Sequence, residues 1–287
     1  MKHTDNKTDG VIDFEKLGEF KKALQTDERS DATIEKYVRD VRALVRYAGG
    51  RVVTKELLTA YKQKLIDSGY AVRSINSMIA SVNSFFGFME RQDLKMKQMK
   101  LQRQIYRPED KELTKAEFER LIKAAEKRKN ARLGLILQTI CATGIRVSEL
   151  RFITVEAARK GEATVSCKGK TRTVFIVRKL QKLLIAYAKE KGIREGGVFI
   201  TRKGRPLDRI TIWREMKSLC GDAKVNPDKV FPHNLRHLFA RVFYELGNDI
   251  AKLADVLGHS SINTTRIYII STGREHKRQM ERMRLIC

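Results

Sequence analysis

Residues 162–177 read Glu162-Ala163-Thr164-Val165-Ser166-Cys167-Lys168-Gly169-Lys170-Thr171-Arg172-Thr173-Val174-Phe175-Ile176-Val177. Ala163, Val165 and Cys167 alternate with polar neighbours, and Val174 to Val177 form a β-rich run. Alternation of period two is the mark of a half-buried strand, and Lys168-Gly169-Lys170-Thr171 between the two runs supplies a turn. The segment is a short hairpin. On either side of it the apolar residues recur at helical intervals instead. The fold class that follows is mainly α with one small antiparallel sheet, in two domains.

Working back toward the N-terminus, residues 1–12 are polar without periodicity and are expected to be disordered. A helical domain follows over 13–98. Its clearest helix has Ser30 and Asp31 as cap candidates before Ile34, Val38, Val41, Val45 and Ala48, with Gly49-Gly50 as the stop. Further helices run from about Lys55 to Ser68 and through Ile75 to Met89. Past Gln92 the apolar stripe fades into Lys95, Lys97, Lys100, Arg103 and Arg107, closing at Pro108. Residues 99–110 read as a basic linker able to lie along a phosphate backbone, or as a solvated tether. The second domain, 111–287, opens with Thr114 and Glu117 spaced as a capping box. Lone Trp213, on a helical pattern, reads as core.

Composition limits the partner. The chain of 287 residues has 59 Lys plus Arg against 34 Asp plus Glu, a formal charge of +25. Such an excess opposes compaction and points to a polyanion: DNA, RNA or anionic lipid. No run of about 18 apolar residues suggests a membrane span, and the start does not resemble a signal peptide. The four cysteines (Cys141, Cys167, Cys220, Cys287) are far apart and give neither metal-ligand spacing nor a disulfide framework. They read as small buried hydrophobes in a reducing, cytoplasmic compartment.

The second domain holds basic residues in settings suited to phosphate. Ala142-Thr143-Gly144-Ile145-Arg146-Val147-Ser148-Glu149-Leu150 places an arginine just after a glycine break, at a helix start. In Pro232-His233-Asn234-Leu235-Arg236-His237, His233 and Arg236 share a helix face, while His237 points elsewhere. An imidazole moves protons near neutral pH and a guanidinium holds charge. Leu257-Gly258-His259 marks a helix end that would lift His259 into a cleft, and Tyr268 lies nine residues on, within a second short helix. Each feature alone has a bland reading, as a surface ion pair or core packing.

Taken in order, Ala-Thr-Gly-Ile-Arg-Val-Ser-Glu-Leu, a hairpin lysine, His-x-x-Arg-His, Leu-Gly-His and Thr-Thr-x-x-Tyr resemble the tyrosine recombinases, the phage integrase and Xer-type family. The resemblance covers roughly 111–287, and the N-terminal helices are similar in pattern to that family's core-binding, DNA-binding domain. It implies that Arg146 and Arg236 clamp the scissile phosphate and that Lys168 protonates the leaving 5′-oxygen. A hairpin shifted by two would bring in Lys170 instead. It further implies that His233 acts in proton transfer, His259 hydrogen-bonds a non-bridging oxygen, and Tyr268 is the nucleophile of a 3′-phosphotyrosyl link. Glu149 sits where the family often has an acidic residue that orients the site. Double-stranded DNA carrying specific recombination sites, and a homotetramer on that DNA, are the implied partners. The C-terminal helix, with Met280 and Met283, would pack in cis or dock on a neighbouring protomer.

The covalent link retains the phosphodiester energy, so no nucleotide cofactor is expected, and no Walker-type motif or Mg²⁺-suited carboxylate cluster is seen. Arg and His donors can stabilise the charge of the transition state. The expected activity is site-specific recombination by sequential strand exchange through a Holliday junction. A type IB topoisomerase-like nicking and rejoining enzyme, or a non-catalytic DNA-binding protein on the same fold, are the alternatives. Strand exchange between two marked duplexes separates the first two. The core-binding pattern begins near residue 13, so a separate arm-binding domain is not expected, and nucleoid association would follow from the DNA partner.

Overall fold

The computed structural model describes residues 12, 14–101, 111–167, 169–268 and 280–283. The chain forms two compact units that divide at residues 103–104. Apart from Ile12, which is buried, the N-terminal stretch expected to be disordered lies outside the described residues, as does 102–110 of the basic linker.

In the first unit, α1 (Phe14–Thr26), α2 (Asp31–Ala48), α3 (Lys55–Asp67) and α4 (Val72–Phe88) surround one core. The stripe on α2 buries Ile34, Val38, Val41, Leu44 and Ala48, and Gly49 ends the helix in the left-handed conformation its lack of a Cβ allows. Of the two cap candidates, Ser30 holds the N-cap position, but its hydroxyl meets that of Thr33 rather than a backbone N–H. Phe20 meets Phe85 edge to face at 5.2 Å, and burying each such ring stabilises the unit by about 1.5–3 kcal/mol. Two asparagines seven apart on α4 then hold the following extended segment. Asn83 exchanges two hydrogen bonds with the backbone of Met96, and Asn76 does the same with Met99. Lys95 and Lys97 are thereby presented from the surface of this unit, where both are exposed.

The second unit begins with α5 (Lys115–Lys127), whose capping box is formed: Glu117 N–H donates to Thr114 Oγ1 at 3.1 Å, and Thr114 N–H to Glu117 Oε2 at 2.8 Å. α6 (Ala131–Thr143) is apolar around much of its circumference, which is why it lies inside the unit. A six-residue 3-10 helix (Val147–Phe152) and α7 (Val155–Lys160) lead into the hairpin of β1 (Glu162–Cys167) and β2 (Lys170–Phe175). Its register pairs Val165 with Arg172 and Cys167 with Lys170, so Lys170 and Thr171, expected in the turn, are strand residues. Ala163, Val165 and Val174 face the core; Phe175 points outward and is exposed. After the hairpin come α8 (Arg178–Glu190), α9 (Arg209–Ser218), α10 (Cys220–Ala223), α11 (Pro232–Gly247), α12 (Ile250–Leu257) and α13 (Ile262–Arg266).

Trp213 is not core. It lies on the outer side of α9, 46% exposed, with Lys217 Nζ 5.4 Å from its ring centroid. A helical period around Ile212 and Met216, which are buried, leaves the position after Ile212 facing solvent. Of the cysteines, Cys220 is buried and Cys141 partly so; the side chains of Cys167 and Cys287 lie outside the described residues. No helix among the described residues is long and apolar enough to cross a membrane.

Candidate functional site

Site geometry starts at the C-terminus of α6. Gly144 caps that helix with φ +63°, and a Cβ there would stand 2.4 Å from the Phe239 ring, so glycine is required twice over. The sharp turn delivers Arg146 to the head of the 3-10 helix. Its backbone N–H donates to Glu149 Oε2 and its Nη1 to Glu149 Oε1, both at 2.9 Å. Glu149 is buried and also receives Arg172 Nη2 at 2.7 Å on Oε2. Burial works to raise the pKa of this carboxyl, but the Arg146 backbone N–H and the two guanidinium groups outweigh it and hold the pKa below the ordinary carboxylate value.

Opposite this turn, Pro232 fits the first turn of α11 because it has no N–H to leave unpaired. His233 and Arg236 follow on one face. Arg236 is 1% exposed, yet its fork is engaged by polar atoms. Nη1 donates to the Gly144 carbonyl, and Nη2 donates to the Leu257 carbonyl at 2.8 Å and to His259 Nε2 at 3.0 Å. Burial first, and then Arg146, push its pKa down to about 10, while Tyr268 favours the charged form. It stays a cation at neutral pH.

Gly258 ends α12 with φ +65°, and His259 follows as the backbone turns. Since an arginine can only donate, the Arg236 bond makes His259 Nε2 an acceptor. The ring proton then sits on Nδ1 and is donated to Thr265 Oγ1 at 2.8 Å, Thr265 being buried on α13. Burial, Arg236 and Arg146 push the His259 pKa down to about 4, so the ring is neutral in this state.

Tyr268 lies in the turn just after α13 rather than within it, with its N–H on the Thr265 carbonyl at 2.9 Å. Its ring, 9% exposed, is surrounded by the predicted residues: centroids of His259 and His233 lie at 5.3 and 5.4 Å, and the Arg236 guanidinium carbon at 5.8 Å. His237 is nearest, at 4.2 Å and tilted by 30°. It therefore faces the tyrosine and does not point away from the site. α11 winds far enough in one turn that both ends of the His-x-x-x-His pair meet the same ring.

Arg146, His233, Arg236, His259 and Tyr268 are thus brought together, with Glu149 behind Arg146. Lys168 lies outside the described residues; Lys170 opens β2 opposite Cys167, and its side chain is not described. Sequence reading missed Arg172. The signal was present: Arg172 and Val174 share one face of β2, and that face is turned inward, so an arginine there needs buried partners.

The phage integrase family model matches residues 111–274, and that of the phage integrase N-terminal SAM-like domain matches residues 17–93. The tyrosine recombinase XerD of Halalkalibacterium halodurans is 31% identical over 261 residues, covering 83% of this chain and 87% of the relative. The tyrosine recombinase XerA of Pyrococcus furiosus is 30% identical over 281 residues, covering 95% of each. Among solved structures, a lambda integrase tetramer bound to a Holliday junction shares the fold, with a TM-score of 0.71 at 18% identity over 89% of this chain and 76% of that one.

Proposed function

The chain belongs to the phage integrase family of tyrosine recombinases, and on that premise we propose that it exchanges DNA strands at specific sites through a covalent bond to Tyr268. One observation carries the reading: a nearly buried tyrosine ring within about 6 Å of a guanidinium and three imidazoles. A tyrosine in core packing has no use for that company.

In the proposed step the Tyr268 oxygen attacks the scissile phosphorus as the bond to the 5′-oxygen breaks, giving a 3′-phosphotyrosyl link and a free 5′-hydroxyl. Arg146 and Arg236 hold the non-bridging oxygens, where negative charge accumulates. Donors aimed at such charge lower a barrier by about 3 kcal/mol each in comparable oxyanion sites. His233 takes part in moving the phenol proton, and Lys168 supplies a proton to the leaving oxygen. His259, an acceptor toward Arg236 in the described state, contributes a donor once the phosphate's charge raises its pKa. Reversal with a 5′-hydroxyl from a second duplex rejoins the strand, so the bond energy is conserved. Successive exchanges pass through a Holliday junction within a homotetramer, an assembly supported by the fold shared with the junction-bound lambda integrase tetramer. The helical unit 13–98 and the basic stretch 99–110 supply further cations for the DNA backbone.

Wild type and Tyr268→Phe are to be incubated with nicked duplexes tiled from the DNA flanking the gene, and SDS-resistant protein–DNA adducts scored. Adducts with wild type and none with the variant are expected. Adducts that persist in Tyr268→Phe would show that another residue is the nucleophile.

A further inference from the structure

We propose that Arg172 is a positioning residue of this site: it fixes the Glu149 carboxylate that orients Arg146 to the backbone that aims His259. The idea rests on the function proposed above but on different atoms.

Arg172 lies on β2 and is mostly buried. Its Nη2 reaches Glu149 Oε2 at 2.7 Å, while Glu149 Oε1 holds Arg146 Nη1 at 2.9 Å. One carboxylate is therefore shared between two guanidinium groups. From the same fork, Nη1 donates to the Val256 carbonyl at 2.8 Å, in the last turn of α12. Two residues later comes Gly258, and a Cβ there would stand 2.2 Å from Arg172 Cδ. The arginine stem occupies the space that glycine leaves, directly before His259. A planar fork with donors on two sides can brace a carboxylate and a carbonyl at once, whereas an ammonium on a flexible stem fixes neither direction. Three segments distant in sequence, the 3-10 helix, the hairpin and the end of α12, are held in register by this one side chain. It touches none of the reacting atoms in the proposed step.

The full chain as wild type, Arg172→Lys and Arg172→Gln is compared on the nicked duplexes. Arg172→Lys retains a cation beside Glu149 and so tests the fork if the glutamine variant fails to fold. Expected are duplex affinities within about twofold of wild type and single-turnover adduct rate constants lower by about 100-fold in Gln and about 10-fold or more in Lys, since misplacement by an ångström costs about that much. A residue needed only for folding would reduce the fraction of protein that reacts and leave the rate constant of that fraction unchanged, which overturns the proposal. If wild type forms no adduct at all, the assignment of Tyr268 fails, and the brace is judged by NMR of His259. Its titration midpoint then moves up in Arg172→Lys, which keeps the charge and loses only the fork, whereas in Arg172→Gln loss of the charge alone would raise it. A midpoint in Arg172→Lys equal to that of wild type overturns the brace.

Discussion

Consider the His259 ring, held neutral at a pKa of about 4 by burial and by the arginines around it. In the unfolded chain the same ring titrates near 6.5. Between these values the unfolded chain binds a proton that the folded chain refuses, so stability rises with pH across the window. The contribution is complete above pH 6.5 and is lost as pH falls toward 4. The two values correspond to about 3 kcal/mol if wholly realised. The ring retains some contact with solvent, so screening reduces this to about 1–2 kcal/mol. His259→Gln offers an amide oxygen to Arg236 and removes the titration. Thermal melting of both proteins from pH 7 to pH 4 gives the comparison: wild type should lose about 2–8 °C more than the variant, at the usual 2–4 °C per kcal/mol for a unit of this size. An oxyanion beside the arginines opposes their field and returns the ring toward 6.5, so DNA binding takes up a proton. Wild-type affinity for duplex should then rise from pH 6.5 to 5.5 more than that of His259→Gln. Parallel melting curves would refute the reasoning, because they would mean that burial and the arginines together do not hold the ring neutral.

Gly144→Ala combines a left-handed backbone, about 1–2 kcal/mol for a residue with a Cβ, with a clash against the Phe239 ring, about 1–3 kcal/mol. A loss of about 3 kcal/mol by urea unfolding is expected, together with slower adduct formation because the Gly144 carbonyl anchors Arg236. Thr114→Ala removes half of the α5 capping box and should cost about 1 kcal/mol in the same assay while leaving the adduct rate at the wild-type value.

Much of this fold was legible because its signals are local. Gly49, Gly144 and Gly258 each end a helix in the left-handed conformation, as their position after an apolar stripe suggested. The hairpin followed from alternation, although its turn proved tighter than a four-residue reading. What could not be read was contact across sequence. Nothing near Asn76 or Asn83 says that they pair with the backbone of residues 96 and 99, since both are ordinary polar positions on a helix. Trp213 was misplaced for the opposite reason: an aromatic residue on a helical pattern suggests core, but the face is decided by its neighbours Ile212 and Met216. At the site, the order of short motifs located five of the expected side chains. It gave no place to His237 or Arg172, whose partners lie 31 residues away at Tyr268 and 23 residues away at Glu149.

The need for Arg172 has a physical origin that the other arginines of the site share. Arg146 and Arg172 share the Glu149 carboxylate and their field reaches Arg236, so among the described residues this cluster carries more positive than negative charge. Desolvated cations are costly unless they have acceptors, and the fold meets much of that need with carbonyls at helix ends, Gly144 after α6 and Leu257 and Val256 at the end of α12, while the buried Nε of Arg172 and of Arg236 has no hydrogen bond among the described residues. The carbonyl end of a helix carries partial negative charge, which suits it to this use. The left-handed glycines belong to the same solution, because they turn the chain away just where a guanidinium must approach. In the proposed step a cation cluster braced in this way is largely organised before a phosphate reaches it, and the local change is release of the Arg236–His259 contact as His259 gains a proton. On the proposed reading, such pre-organisation would let a weak nucleophile such as a phenol act on a phosphodiester, and it would require the residues behind the site as well as those that touch the phosphate.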